Sequence, residues 1–402
     1  MLTVATGRWM TLQELEHRRA EWRALATGSE FPTVFVDPGW ILAWWDSYGE
    51  QHEPWLYGLE DRDGSLRGLA PLALRRGRVA RTLHFAGGRW NGLETLVCAP
   101  GSEAELTASL LDALAERSSE WDVWRTQRLR AGCALERTLL NGDGPLRASA
   151  HDRRLQPFVT LPGDVASFEA SFSSKERGAQ RRKWRRLAEL GAIARLVVDP
   201  DEAPGAVGVL LELRRRRAIA LGQGHEHMDA RYQRFLVQAV GGMLPDGVRL
   251  WTLELDRRSL ASCLHFVQGP REHTYTQGIA DDYVNLSPGN SLELHAMREA
   301  IGQGRTEFEL GPGRDDYKYR LGARDREVTR LVAASEAARG RALTRVLAAD
   351  LRLRNTAAAD ALRRRRGLTP ERGEAVGAQQ PAAQPGRVAE APGEEQAPAG
   401  RR

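Results

Sequence analysis

Long apolar segments are missing from this sequence of 402 residues. A helix that crosses a bilayer needs roughly 20 consecutive apolar residues, and the sequence has no such run. The first residues, MLTVATGRW, also lack the basic region followed by an apolar one that marks a signal peptide. The sequence therefore predicts neither a transmembrane helix nor a secretion signal, and we expect a cytoplasmic protein without membrane insertion.

Cysteine is scarce as well. The three cysteines, Cys98, Cys133 and Cys263, are far apart and have apolar neighbours. This pattern is typical of buried thiols in a reducing compartment rather than of a disulfide framework. Cysteine and histidine do not cluster at the spacing of metal ligands, so the sequence predicts no metal site.

Signatures of DNA binding are also missing, although the net charge is +5 and the pI is near 9.3. The arginines concentrate in residues 175–186, 214–217 and 339–366. No interleaved aromatic residues, zinc motif or helix-turn-helix accompanies these blocks. We therefore predict that they are solvated helical faces and that DNA is not a partner.

What the sequence does have is an internal repeat. Two strands flank a polar turn at residues 61–64, and two more flank a turn at residues 256–259. Further on, the segments APGSEAEL (99–106) and SPGNSLEL (287–294) each precede a helical pattern and a short strand. Repetition at this long spacing indicates a duplicated α/β unit rather than a solenoid.

The chain divides into four segments by pattern and composition. Residues 1–155 and 156–335 are the two α/β halves, and the Ala/Arg-rich residues 336–366 have the pattern of a helix. Residues 367–402 contain almost no large apolar side chains, so we expect a disordered tail. The clearest helices are expected at residues 11–26, 38–48, 174–190, 204–221 and 229–243, and Ser173 and Glu176 are predicted to form a capping box at the start of the third.

A helix N-terminus near residue 290 is the most informative local feature. Asn290 is predicted to be the N-cap, with Glu293 completing a capping box three residues later. Leu294, Met297 and Ile301 form one apolar face. The free amides of such a helix start favour an anionic group such as a pyrophosphate.

The same region resembles a known family. It carries YVNLSPGNSL (283–292), FELGPG (308–313) and DDYK (315–318), preceded by FEASFSSKERG (168–178). In this order the motifs resemble the CelD/BcsL-like branch of the GNAT acyltransferases, over roughly residues 30–332. The usual GNAT phosphate loop is absent, and S-P-G-N-S stands in its place.

The resemblance implies an α/β fold of two tandem GNAT-like domains, with mixed sheets flanked by helices. The second domain would be catalytic and the first degenerate or substrate-binding. Acetyl-CoA or another acyl-CoA would be the co-substrate, with no metal. Its phosphates would lie at Ser287, Gly289, Asn290 and Ser291, and its pantetheine arm along the strand that contains Gly278.

Candidates for proton transfer are His265, Asp281 and Tyr317. His265 is either a core histidine or a base on a face open to the cleft, and we favour the cleft. Asp281 is either a base or part of a polar turn, and Tyr317 is the expected proton donor. Asp282, Asp315 and Lys318 are predicted to contact substrate, with a solvated turn or loop as the alternative for each.

The predicted reaction moves an acetyl or other acyl group to an amine or hydroxyl of a small molecule or glycan, as in polysaccharide or cell-envelope metabolism. A second hypothesis follows from the likeness to Fem-type aminoacyltransferases, which share tandem GNAT-like domains and use aminoacyl-tRNA. The basic helix near residue 180 keeps this hypothesis open. Arg181, Arg182 or Arg185 would face an anionic partner, either a nucleotide phosphate or an acidic glycan, and a packed amphipathic helix is the alternative. A third hypothesis is a non-catalytic binding or scaffold protein with the same fold.

Overall fold

The computed structural model describes residues 5–222, 224–225, 228–313 and 315–335, which form a large mixed sheet with helices on both faces. The strands are β1 (Thr6–Met10), β2 (Glu53–Glu60), β3 (Leu66–Arg76), β4 (Arg81–Phe85), β5 (Val97–Cys98), β6 (Val123–Arg125), β7 (Leu129–Arg130), β8 (Ala148–Thr160), β9 (Ile193–Val197), β10 (Val248–Leu255), β11 (Arg258–Gln268), β12 (Arg271–Ile279), β13 (Glu307–Glu309) and β14 (Arg324–Ala334). The helices are α1 (Leu12–His17), α2 (Arg19–Gly28), α3 (Pro38–Tyr48), α4 (Glu103–Glu116), α5 (Ala134–Asn141), α6 (Val165–Ala170), α7 (Ser174–Glu189), α8 (Ala203–Ala220), α9 (Ala230–Met243), α10 (Pro288–Gly302) and α11 (Asp316–Arg320).

The sheet repeats one arrangement in both halves of the chain. Its order is β1-β2-β3-β4-β6-β14-β8-β13-β12-β11-β10-β9, with β5 beside β3 and β7 beside β14. Strands β1 to β4 are antiparallel and β4 is parallel to β6. Strands β9 to β12 are likewise antiparallel and β12 is parallel to β13. The topology confirms the internal repeat, with β2–β3 matching β10–β11.

The two halves exchange strands where they meet. Strand β14, from the end of the second half, lies between β6 of the first half and β8. Strand β8 in turn pairs with β13, so that Thr160 lies opposite Glu307. Residue 155, the predicted division between the halves, lies within β8. Main-chain hydrogen bonds therefore run without a break from one half to the other.

One face of the sheet carries a core that both halves share. Helix α3 of the first half packs on α9 of the second. Trp40 of α3 is fully buried, and its ring centroid lies 4.7 Å from that of Phe235, 5.3 Å from that of Phe266 and 5.3 Å from that of Tyr275. Tryptophan in such a position excludes a large apolar area from water. The aromatic helix predicted at residues 38–48 therefore joins the halves by packing.

The opposite face carries α4 and α5 on the first half and α7 and α10 on the second. Leu294, Met297 and Ile301 of α10 are buried, which confirms the predicted apolar face. The helix expected at residues 11–26 is two helices, because the chain leaves helical geometry at Arg18. None of the described helices combines the length and apolarity that crossing a bilayer requires. The predicted helix at 336–366 and the predicted tail at 367–402 lie outside the described residues.

Candidate functional site

Strands β12 and β13 pair briefly and then part. Their parallel pairing covers Arg271 to His273 against Glu307 to Glu309. Beyond it the amide of Leu310 donates to the carbonyl of Pro157, which draws the chain toward β8. From Thr274 onward, one edge of β12 therefore faces an opening in the sheet rather than β13. Such an edge offers main-chain amides and carbonyls to a ligand.

The far wall of this opening is held by Lys318. Its side chain is fully buried, and Nζ donates to the carbonyls of Gly311, Pro312 and Gly313 at 3.1, 2.7 and 3.2 Å. The carboxylate of Asp315, which is partly exposed, lies 3.3 Å away. Lys318 is therefore buried and not part of an exposed cluster, because the ammonium group folds back beneath its own loop, and its contact with substrate stays a prediction.

The start of α10 lies at the mouth of the opening. The helix begins at Pro288, after Ser287 in a left-handed conformation (φ 49°), and none of the described side chains caps it. The predicted capping box from Asn290 to Glu293 is therefore wrong. The amides of residues 289 and 290 have no acceptor within the helix, and Asn290 is exposed. These amides leave the helix start available to an anion.

A cation from α7 stands beside this helix start. The Nζ atom of Lys183 donates to Ser287 Oγ at 2.8 Å. Burial, with a smaller effect of Arg320, lowers the pKa of Lys183. The capping box from Ser173 to Glu176 that starts α7 was predicted and is confirmed. An anion at α10 would therefore meet helix amides, a hydroxyl and an ammonium group together.

Gly289 and Gly278 were predicted to lie close to a ligand, but they lie close to other parts of the protein. A Cβ atom on Gly289 would lie 2.5 Å from Ile279 Cδ1, and the Gly289 carbonyl accepts from Gln277 at 2.9 Å. A Cβ atom on Gly278 would lie 2.5 Å from the carbonyl of Leu210 in α8. These glycines therefore let α10 and α8 pack closely on β12. Of the predicted phosphate contacts, Ser287 and Asn290 are the side chains that lie at the mouth.

Ser291, also predicted to contact phosphate, lies inside the first turn of α10. Its Oγ donates to the carbonyl of Leu286 at 3.3 Å and the residue is buried.

His265 lies inside the protein beneath α10 and is fully buried, so the interpretation that it faces the cleft is wrong. Its Nδ1 is 2.8 Å from Glu272 Oε1 and its Nε2 is 3.3 Å from Glu293 Oε2. Burial acts to lower the pKa of His265, but Cys263 and the two carboxylates raise it well above its ordinary value. Thr274 of β12 donates to Glu293 at 2.5 Å. The cluster ties β11, β12 and α10 together.

The other predicted acid–base residues have different surroundings. Asp281 and Asp282 are exposed, and Asp281 accepts from Arg217 at 2.8 Å. Their position fits the turn interpretation, and a catalytic role stays a prediction. Tyr317 is partly buried, and burial, Glu293 and Asp315 raise its pKa well above its ordinary value. Its phenol therefore keeps its proton, as a proton donor requires.

A histidine–glutamate pair that the sequence analysis missed lies where β12 and β13 part. His273 Nδ1 is 2.7 Å from Glu309 Oε2, and Gln156 donates to the same oxygen at 2.8 Å. Arg326 also donates to Glu309. Burial acts to raise the pKa of Glu309, but His273 and Arg326 lower it to about 2. This carboxylate is therefore ionised and fixes the orientation of the imidazole.

This pair borders a pocket between the halves. Residues 31–34 and Leu93 of the first half and Phe266, Gln268 and Arg271 of the second line the pocket, with His273 and Glu309. His273 Nε2 has no hydrogen-bond partner among the described residues. The arrangement is that of a general base held by an acid. The pairing of His273 with Glu309 depends on the register of β12 and β13. That register becomes visible only when β13 is placed beside β12.

The first half fills the position that corresponds to the opening. Its strands β4 and β6 are parallel. In the loop after β4, Glu94 accepts from the amides of Gln127 and Arg128, which follow β6, at 2.7 and 3.2 Å. Asn91 of the same loop donates to the carbonyl of Ala86 at 2.8 Å. Glu94 is buried, and its Oε1 has no hydrogen-bond partner among the residues that the structure describes. Protein atoms thus occupy the strand ends that a ligand would need.

The burial of Glu94 gives a prediction for stability. Burial raises the pKa of Glu94 from 4.5 to about 7, against the opposing effect of the Gln127 and Arg128 amides. The native state therefore holds a proton that the unfolded chain releases, and stability falls as the pH rises between these values. The loss amounts to about 3 kcal/mol. In Glu94→Gln the neutral amide keeps an acceptor for both amides and removes this loss.

The measurement is urea unfolding of wild type and Glu94→Gln at about pH 4.5 and about pH 8. From the lower to the higher pH, the unfolding free energy of Glu94→Gln minus that of wild type should increase by about 3 kcal/mol. Glu50→Gln, at an exposed position, should follow wild type. Parallel pH profiles for wild type and Glu94→Gln would show that Glu94 is ionised in the native state.

Comparison with known proteins agrees with this architecture. Residues 174–319 match the family described as "Acetyltransferase (GNAT) domain". No curated protein sequence matches the chain. The crystal structure of FemX is similar at 11% identity and a TM-score of 0.60, over 81% of this chain and 96% of that one. A conserved protein of unknown function from Bacteroides thetaiotaomicron VPI-5482 is similar at 10% identity and a TM-score of 0.53, over 83% and 100%. The predicted fold of two tandem GNAT-like units is confirmed, and the matched acetyltransferase domain lies in the second.

Proposed function

We propose that this protein of two tandem GNAT-like units is an acyltransferase that moves an acetyl or other acyl group from acyl-CoA to an amine or hydroxyl. The observation that carries the proposal is the parting of β12 and β13 beside an uncapped helix start with Lys183 next to it. The finer assignment to the CelD/BcsL-like branch rests on the sequence motifs and belongs to the same proposal.

The donor would lie along the open edge of β12. Its diphosphate would meet the first amides of α10, Ser287, Asn290 and the ammonium group of Lys183. Its pantetheine arm would pass between β12 and the loop that Lys318 holds. A main-chain amide of β12 would donate to the thioester oxygen, where negative charge develops as the acceptor attacks.

The acceptor would reach the thioester from the pocket between the halves. His273 Nε2 would take the proton of the attacking amine or hydroxyl, while Glu309 stabilises the imidazolium that forms. The acceptor atom bonds to the carbonyl carbon, and the carbon–sulfur bond then breaks. Tyr317 would give its proton to the departing thiolate. The roles predicted for Asp281, Asp282 and Asp315 in substrate contact stay predictions.

The first half would serve as a scaffold and acceptor wall rather than as a second catalytic unit. Its own loop fills the position of the opening, with Glu94 on the amides of Gln127 and Arg128. It supplies residues 31–34 to the pocket beside His273. The acceptor class proposed, a small molecule or a glycan, would therefore be selected partly by the first half.

Calorimetry of donor binding tests the proposal. Lys183→Ala should weaken binding of CoA by about 2 kcal/mol, or roughly 30-fold in Kd, because one charge-assisted contact to phosphate is lost. The matched control is Arg185→Ala on the same helix, whose side chain is 71% exposed and points away into solvent beside Glu189. Equal CoA affinity in wild type and Lys183→Ala would remove the start of α10 from the donor site.

Aminoacyl transfer from tRNA is the second candidate, because α7 presents an exposed basic face. The side chains of Arg181, Arg185 and Arg186 are 68%, 71% and 60% exposed. The same calorimeter cell should receive acetyl-CoA, CoA and aminoacyl-tRNA in turn. Binding of tRNA with a steep salt dependence, and no binding of CoA, would favour this candidate. Binding of none of the three would favour a scaffold protein.

A further inference from the structure

Three side chains with metal-ligand chemistry converge beneath α10. Cys263 and His265 are two residues apart on β11, so their side chains leave the same face of the sheet. Glu293 reaches them from α10. The ligand atoms of the three side chains lie within 4.8 Å of one another, and all three residues are buried.

Two of these ligand atoms contact only each other. His265 Nε2 and Glu293 Oε2 form an ion pair at 3.3 Å, but neither completes a hydrogen bond with any described residue. Buried polar atoms without partners are costly, and most native proteins avoid them. Cys263 Sγ lies within 4.8 Å of both atoms, so one cation between the three would satisfy them together.

The surrounding contacts are those that orient metal ligands. Glu272 holds His265 Nδ1 at 2.8 Å and so leaves Nε2 directed at Cys263 and Glu293. Thr274 holds the second carboxylate oxygen of Glu293 at 2.5 Å. A carboxylate on the outer nitrogen of a ligating histidine is the usual outer contact of a zinc site.

We propose that Cys263 Sγ, His265 Nε2 and Glu293 Oε2 bind one divalent transition-metal ion of the Zn²⁺ class, with water as fourth ligand. A set of one thiolate, one imidazole and one carboxylate suits tetrahedral zinc. Bonds of about 2.0 to 2.3 Å place the ligand atoms of such a site roughly 3.3 to 3.7 Å apart. The largest separation among the three ligand atoms, at most 4.8 Å, would therefore have to close by about 1 Å on binding.

Binding would release the thiol proton of Cys263 and any proton on His265 Nε2. The ion would bind side chains of both α10 and β11 and so hold these elements together. It would also fix Thr274 and Glu293, which lie behind the open edge of β12. Linear spacing hides the site because Glu293 comes 28 residues after His265, from another element.

Metal content of the folded chain tests the proposal. Purified protein is dialysed against Zn²⁺, freed of excess metal and measured by mass spectrometry of the elements. We expect about one zinc ion per chain in wild type and in Cys98→Ala, a buried thiol on β5 away from the cluster. Cys263→Ala should lose most of this zinc.

Loading with Co²⁺ gives a readout that needs no variant. A thiolate ligand produces a sulfur-to-cobalt absorption band in wild type, and an excess of Zn²⁺ should remove it. Less than about a tenth of a zinc ion per folded wild-type chain would overturn the proposal, as would Co²⁺ binding without that band. Equal zinc content in Cys263→Ala and Cys98→Ala would overturn it as well. These outcomes are independent of CoA binding.

Discussion

His273→Gln is expected to lower turnover about 100- to 10,000-fold while the affinity for acyl-CoA stays unchanged, because a general base contributes that much. Glutamine preserves a polar side chain beside Glu309 but cannot take a proton from the acceptor. Turnover is measured as thiol release from acetyl-CoA, with an amine or alcohol acceptor that wild type uses, and affinity by calorimetry.

Two further variants sharpen this experiment. His52→Gln changes a half-buried histidine of the first half that is hydrogen-bonded to the carbonyl of Tyr48. This variant should keep near-full turnover. Glu309→Gln should lose less activity than His273→Gln. It should also shift the pH profile of turnover, because the imidazolium loses its counter-charge. Near-wild-type turnover in a folded His273→Gln protein would place the base elsewhere.

Lys318→Met is expected to destabilise the protein by about 3 to 5 kcal/mol, the usual effect of removing one partner from a buried charged contact. Three main-chain carbonyls, those of residues 311 to 313, would lose their donor, while methionine preserves most of the buried volume. Urea unfolding gives the free energy. The loop beside the opening should also loosen, so donor affinity should fall.

Arg320→Met is the matched control, because Arg320 lies on the same short helix and is exposed. It should change the unfolding free energy by less than about 0.5 kcal/mol. If the unfolding free energy of Lys318→Met lies within about 1 kcal/mol of the wild-type value, the ammonium group does not hold the loop. The wall of the opening then has another support.

Local patterns predicted local structure well. Helix α3 begins and ends where its periodicity indicates, and the Ser173 capping box starts α7 as expected. The capping-box rule failed at Asn290. It required the side chain of Glu293, three residues later, to bond back to the start of the helix. Tertiary contacts override that pattern: Glu293 turns inward to Thr274 and His265 instead. A motif does not indicate which of its polar residues the fold will bury.

The candidate base escaped prediction for a related reason. His273 and Glu309 are 36 residues apart, and their contact depends on the register of two parallel strands joined by α10. Lys318 was placed in an exposed cluster because its neighbours in the sequence are polar, whereas its own loop folds over it. Both cases involve positions that only the packed sheet defines, and sequence periodicity carries no register information across a crossover.

The exchanged strand has a consequence for the order in which the molecule is made. The first half emerges from the ribosome with β6 but without its neighbour β14, which lies at residues 324–334. Until that segment is released, the edge of β6 stays open, and open strand edges invite pairing with other chains. Completion of the first half therefore waits for nearly the whole second half, and neither half, expressed alone up to residue 155 or from residue 156, contains all of its own sheet.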